Sequence, residues 1–124
     1  MEFKIDTKDT FTIIMPVKES IDAKLTGALL GKCAELTQNG VNNYIIDFHN
    51  CGELERSAID GLIKLYEEIY SNEQSVVYTG IGKQGIILLK EDETDLLVNI
   101  APSMKEAIDI ISMEILERDL FNEE

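Results

Sequence analysis

The sequence has little positive charge to set against its acids. Eleven Lys and Arg face 24 Asp and Glu in 124 residues, for a net charge of −13. So acidic a chain repels nucleic-acid phosphates and anionic lipid surfaces unless it carries a local basic patch, and its basic residues are scattered. Nucleic acid is therefore not expected as a partner, whereas a protein with complementary basic residues is. Cysteine is scarce too. Cys33 and Cys51 are too few for a disulfide framework and read as free thiols in a reducing compartment. No run of about 18 apolar residues is present, so no membrane insertion is expected. The opening Met1-Glu2-Phe3-Lys4-Ile5-Asp6 has no apolar signal-peptide region, which makes a cytoplasmic location the expectation. Internal repeats and low-complexity linkers are also absent.

What is present suits one core. An apolar share of 44% over this length fits a single domain over 1–124, with its core in 2–112 and an acidic helical extension over 113–124. A monomer or weak homodimer is expected. Phe3, Ile5 and Thr7 alternate with Lys4 and Asp6, which predicts a strand over 2–7. Phe11, Ile13 and Met15 predict a second over 10–17, with Lys8-Asp9 short enough for a hairpin. Pro16 lacks a donor and belongs near a strand end or on a sheet edge. Leu25, Leu29, Leu30, Cys33 and Leu36 recur at helical spacing, so a helix covers 22–37, capped by Ser20 or Asp22.

Tyr44 to Phe48 reads as a buried strand. A polar loop follows it. A second helix runs from about Ser57 to Tyr70 with Ile59, Leu62, Ile63, Tyr66, Ile69 and Tyr70 inward. Gln74 to Thr79 is another strand. A third helix covers 82–90, with Ile86, Leu89 and Ile87 inward. Leu96 to Ile100 is the last strand, and Pro102 opens a final helix bearing Met104, Ala107, Ile108, Ile111 and Ile115. In the order β-β-α-β-α-β-α-β-α, alternation implies right-handed crossovers. The fold class is α/β, with a mixed, mostly parallel sheet of about five strands and four helices.

The informative stretch is Asp47 to Leu62, where a strand ends, a polar loop follows and an amphipathic helix begins. Functional groups of α/β domains collect at such carboxyl ends, beside helix N-termini. His49, Cys51, Glu53 and Glu55 alternate, but one His and one Cys with two carboxylates is a thin ligand set, and no metal is expected. His49 and Cys51 do not make a nucleophile and base, because no oxyanion donor accompanies them. Gly80-Ile81-Gly82-Lys83-Gln84-Gly85 fits Gly-x-Gly-x-x-Gly between a strand and a helix, a context in which backbone amides cradle phosphate. Against that, the following strand offers no acid for a ribose, and a tight turn into a helix accounts for the glycines. The acidic runs Glu67-Glu68 and Glu91-Asp92-Glu93 read as solvated faces.

At this point the chain resembles a STAS domain (sulfate transporter and anti-sigma factor antagonist), over most of residues 10–112. Ile21-Asp22 stands where the family has Leu-Asp before its first helix. Ile45-Ile46-Asp47-Phe48 matches the strand that ends in Asp-Leu. Ala101-Pro102-Ser103-Met104-Lys105-Glu106-Ala107 resembles the start of the last helix. Counted without a gap, the family's Asp-Ser-Ser/Thr-Gly-Leu falls on Glu55-Arg56-Ser57-Ala58-Ile59.

The resemblance implies a non-enzymatic interaction module without a cofactor. Stand-alone members bind a kinase-type anti-sigma factor, and phosphorylation of the loop switches that binding off, a charge switch at a helix N-terminus. The phosphorylated serine of the family follows the loop aspartate, and Arg56 occupies that place here. Ser57 is then either a displaced phosphorylation site or an N-cap of the second helix. Arg56 is either a solvated residue paired with Glu53 or Asp60, or a functional one that mimics a fixed state of the switch or binds a carboxylate on a partner. The expected partner surface is Glu19, Asp22, Glu53, Glu55, Arg56, Ser57 and Asp60. Two other classes remain open: a nucleotide or anion sensor using Gly80–Gly85, and a STAS-like subunit of a lipid transport complex.

Overall fold

A computed structural model describes residues 2–122. Strand β1 (Glu2–Thr7) pairs antiparallel with β2 (Thr12–Ile21) in the expected hairpin, with Phe3 opposite Pro16 and Ile5 opposite Ile14. Helix α1 (Ala23–Gln38) leads to β3 (Asn43–Asp47), which lies parallel to β2 at Thr12–Ile14. After β4 (Cys51–Leu54) and a 3-10 turn (Arg56–Ala58) comes α2 (Ile59–Ser71). Strand β5 (Ser75–Thr79), helix α3 (Lys83–Glu91), strand β6 (Ile100–Ala101) and helix α4 (Met104–Asn122) complete the described chain. The sheet runs β1-β2-β3-β5-β6, parallel after its first pair, with β4 set against the carboxyl end of β2.

Every residue of β3 and β5 is buried, as expected of central parallel strands covered on both faces. One core layer joins the sheet to α1, α2 and α3 around Ile14, Leu29, Ile46, Leu62, Val76 and Leu89. The opposite layer is thinner: Ile13, Ile45, Val77 and Ala101 meet Ala107 and Ile111 of α4. Tyr78, fully buried in the thicker layer, donates its hydroxyl to the Leu62 carbonyl at 2.6 Å and so leaves no polar atom stranded.

Four expectations need correction. The second strand runs past Pro16 to Ile21, and Pro16 falls between the β2 residues paired to β3 and those paired to β4, so its missing N–H costs no ladder bond on that side. The polar segment after Asp47 contains β4, a strand the sequence pattern does not announce. Leu96 to Ile100 is not a strand. Thr94–Leu96 is a 3-10 turn after a left-handed Glu93, and only Ile100–Ala101 reaches β5. Leu96 and Leu97 stand exposed, while Val98 is buried in the core and Ile100 packs against it. In α3, Ile87 lies half exposed rather than inward. The stretch after 113 continues α4 to Asn122; Glu123 and Glu124 of the expected extension lie outside the described residues.

Candidate functional site

The loop from Cys51 to Ala58 is assembled from both sides. β4 joins the carboxyl half of β2, with Lys18 opposite Cys51, Ser20 opposite Glu53 and Ile21 opposite Leu54. A Cβ at Gly52 would run into the carbonyl oxygen of Glu19, so the close approach of these two backbones requires glycine. The Glu55 amide extends the ladder to the Ile21 carbonyl at 2.9 Å, and the Ala58 amide closes the 3-10 turn on Glu55 at 3.0 Å. Gly61 in the first turn of α2 abuts the Thr26 side chain, which lets α1 and α2 pack closely beneath the loop.

On the α1 side the contacts are short and polar. Lys18 donates to both oxygens of Asp22 at 2.7 Å, and Asp22 accepts the Leu25 amide at 2.9 Å as the N-cap of α1. The Lys18 hydrogen bond, with the Leu25 amide behind it, holds the Asp22 carboxyl below its ordinary value. Ser20 donates to Glu55 at 2.6 Å. Ser57 accepts the Ala23 amide at 3.3 Å. Ser57 therefore serves the start of α1. The alternative of an N-cap for the second helix is corrected, since α2 begins at Ile59 after the 3-10 turn and has no side-chain cap.

On the α3 side Gln84 reaches across. Its amide accepts from the Leu54 N–H and donates to the Leu54 carbonyl, both at 2.9 Å, as a neighbouring strand would. Arg56 then spans to the end of α3, with one nitrogen 3.0 Å from Asp92 and the other 2.9 Å from Glu91. It pairs with neither Glu53 nor Asp60. Glu91 and Asp92 are exposed, as a solvated face would be, but they also serve as partners of this cation. A cation at the loop satisfies the two acids, which also sit where the helix dipole of α3 disfavours negative charge. Arg56 keeps 61% of its side chain exposed, so the pair locates the loop without burying charge.

The structure thus brings Glu19, Asp22, Glu53, Glu55 and Ser57 to the β2–β4 ladder and the start of α1, with Asp60 in the first turn of α2. Arg56 faces the other way, toward α3. Glu19, Glu53 and Asp60 are exposed and form no ion pair among the described residues. The alternating His49, Cys51 and Glu55 turn to three different partners. His49 Nδ1 lies 2.7 Å from Asp47, the Cys51 thiol faces the Pro16 carbonyl at 3.4 Å, and Glu55 accepts from Ser20. Burial pushes the Cys51 thiol up, away from the reactive thiolate.

The glycine-rich segment has a steric account. Gly80 takes a left-handed φ of 78° against the Asp47 carboxylate. Gly82 opens α3, and a Cβ at Gly85 would lie 3.0 Å from Leu54 and 2.6 Å from Ile81. Two of its three glycines hold strand ends together. Sequence reasoning missed Gln84 and the Glu91–Asp92 pair as members of the site. An arginine in the loop was the one available signal that an acid waited elsewhere.

A mixed sheet opened by an antiparallel hairpin, with three helices on one face and one on the other, is the STAS fold, the fold of anti-sigma factor antagonists. No family model and no curated protein matches the sequence. Solved structures do. The chain is similar to the Thermotoga maritima protein TM1081 (15% identity, 89% of this chain and 94% of that one, TM-score 0.76). It is also similar to an anti-sigma factor antagonist from Mycobacterium paratuberculosis (14%, 90% and 93%, TM-score 0.73). A variant of RsbS from Moorella thermoacetica superposes over 95% of this chain and 99% of its own (18% identity, TM-score 0.72). These likenesses are of fold. No helix among the described residues is long and apolar enough to cross a membrane.

Proposed function

We propose that this chain is a non-enzymatic regulatory module that acts as an anti-sigma factor antagonist. It binds a kinase-type anti-sigma factor, or a related regulator, through the Cys51–Ala58 loop and the adjoining starts of α1 and α2. The observation that carries the reading is the double ion pair of Arg56 with Glu91 and Asp92. In the resembling family this position holds the serine whose phosphate ends binding. Here it holds a cation tied to α3, in a loop that Gln84 and Ser57 fix from either side.

Such a loop has one resting form. Docking then does not depend on phosphorylation at position 56, and affinity comes from shape and from exposed acids facing a basic partner surface. Ser57 is the remaining hydroxyl of the loop. A phosphate there would have to leave the Ala23 amide or crowd it, beside Glu55 and Asp22, so modification of Ser57 would oppose the docked form.

Reversing charge with Glu53→Lys and Glu55→Lys, and measuring capture of purified kinase-type anti-sigma factors, tests the surface. Binding should fall at least about tenfold, because like charges across an interface are strongly disfavoured. Unchanged capture would remove this loop from the interface.

A further inference from the structure

Two exposed apolar surfaces lie away from the loop, and their charges are opposite. The first is a cavity of about 660 Å³ between α3 and the edge strand β6. Its wall includes Ile86, Ile87, Ile100 and Pro102. Lys83 and Lys90 flank it, seven residues apart on α3 and therefore on one helix face, roughly 10 Å from each other. Neither lysine forms an ion pair among the described residues. Asp95 is the one acid on that wall. In a chain of net charge −13 this is an unusual place for two uncommitted cations.

The second surface is the outer face of α4. Met113, Leu116 and Leu120 follow one stripe at helical spacing, and each is more than half exposed. Asp109 and Glu117 lie along the same face, roughly 12 Å apart by helical rise. The two surfaces cannot meet within one molecule. α3 covers the layer with Leu54 and Leu89, whereas α4 covers the opposite side of the sheet.

We infer that the chain self-associates head to tail, with the α4 stripe of one copy seated in the α3–β6 groove of the next. Charge decides between this and the alternative of stripe against stripe. Two α4 helices crossing antiparallel about Met113 would set Asp109 of each copy opposite Glu117 of the other. Stripe against groove sets those acids near Lys83 and Lys90 instead, at a closely matching spacing. A contact between unlike surfaces leaves one groove and one stripe open at the ends, so association continues beyond a pair. One helix on one groove buries less than a standard interface of about 1,200–2,000 Å², which makes the association weak.

Sedimentation of the full chain from about 10 µM to about 1 mM, a range suited to weak interfaces, provides the test. The mean mass should rise past that of a dimer and fall back in high salt. A groove variant (Lys83→Glu with Lys90→Glu) and a stripe variant (Asp109→Lys with Glu117→Lys) should each weaken association at least about tenfold, through like-charge contacts. Mixed in equal amounts they should associate again, because every unlike pairing is then attractive. Recovery on mixing also shows that both variants are folded. A monomer at every concentration, association indifferent to both swaps, or failure of two folded variants to combine would each overturn the proposal.

Discussion

Two segments of this molecule join the carboxyl end of a strand to the start of a helix, and they behave in opposite ways. The segment after β5, Gly80 to Gly85, looks in sequence like a phosphate loop, and two of its glycines are used up in close packing against Asp47 and Leu54. The segment after β3, Cys51 to Ala58, has no such signature. Yet it carries the exposed charges, and its conformation is fixed by the Ser20 side chain of β2, the first amide of α1, and Gln84 and Asp92 at the two ends of α3. The contrast teaches that a glycine pattern reports how closely backbones approach. A candidate docking surface is found by asking which exposed groups are held in place and which are left unpaired.

The contrast breaks first at Gly80. Alanine there must adopt a left-handed backbone and meet the Asp47 carboxylate. Gly80→Ala should cost about 2–4 kcal/mol of unfolding free energy by denaturant titration, from backbone strain and overpacking together. Gly82→Ala, with open space around its Cβ and an extended φ of −68°, should cost no more than about 1 kcal/mol. Equal costs at the two sites would return the segment to a role other than packing.

Next in size is Gln84→Ala, which strips both partners from the backbone of buried Leu54. It should cost about 1–3 kcal/mol and loosen β4, seen as faster amide exchange at Leu54. Asp22→Asn sharpens the α1 side. The folded carboxyl sits below its ordinary value, so its contribution to stability is present above that value and is lost as pH falls through the folded one. The wild type should therefore lose stability below about pH 4 more steeply than the variant does in urea titrations.

The smallest change in stability belongs to Arg56→Ala. An exposed pair of this kind contributes about 0–1 kcal/mol, and the difference should vanish in high salt.

Much of this architecture was legible in the sequence. Strict alternation marked the β1–β2 hairpin, five apolar residues at helical spacing marked α1, and Asp22 before an apolar run marked its cap. β4 was not legible, because Cys51-Gly52-Glu53-Leu54 has no apolar alternation. It is a strand only through pairing with β2, more than thirty residues earlier. The apolar run at Leu96 misled for the converse reason: a left-handed Glu93 turns the chain before it, and at the sheet edge only two residues find a partner. At the loop, the residue types were readable but their partners were not. Arg56 meets acids 35 and 36 positions away, and Ser57 meets an amide 34 positions back. Such pairings depend on the tertiary fold and leave no local trace.

The central claim is that docking at this loop is not switched by phosphate in the wild type, because Arg56 replaces the acceptor and Ser57 is held on the Ala23 amide. Its most direct test is titration calorimetry of the chain against a kinase-type anti-sigma factor, before and after incubation with ATP, with intact mass measured alongside. The account predicts that the wild type gains no phosphate and binds equally well in both states, while Arg56→Ser gains one phosphate and loses binding. Phosphate appearing on Ser57 of the wild type, with binding lost, would contradict it.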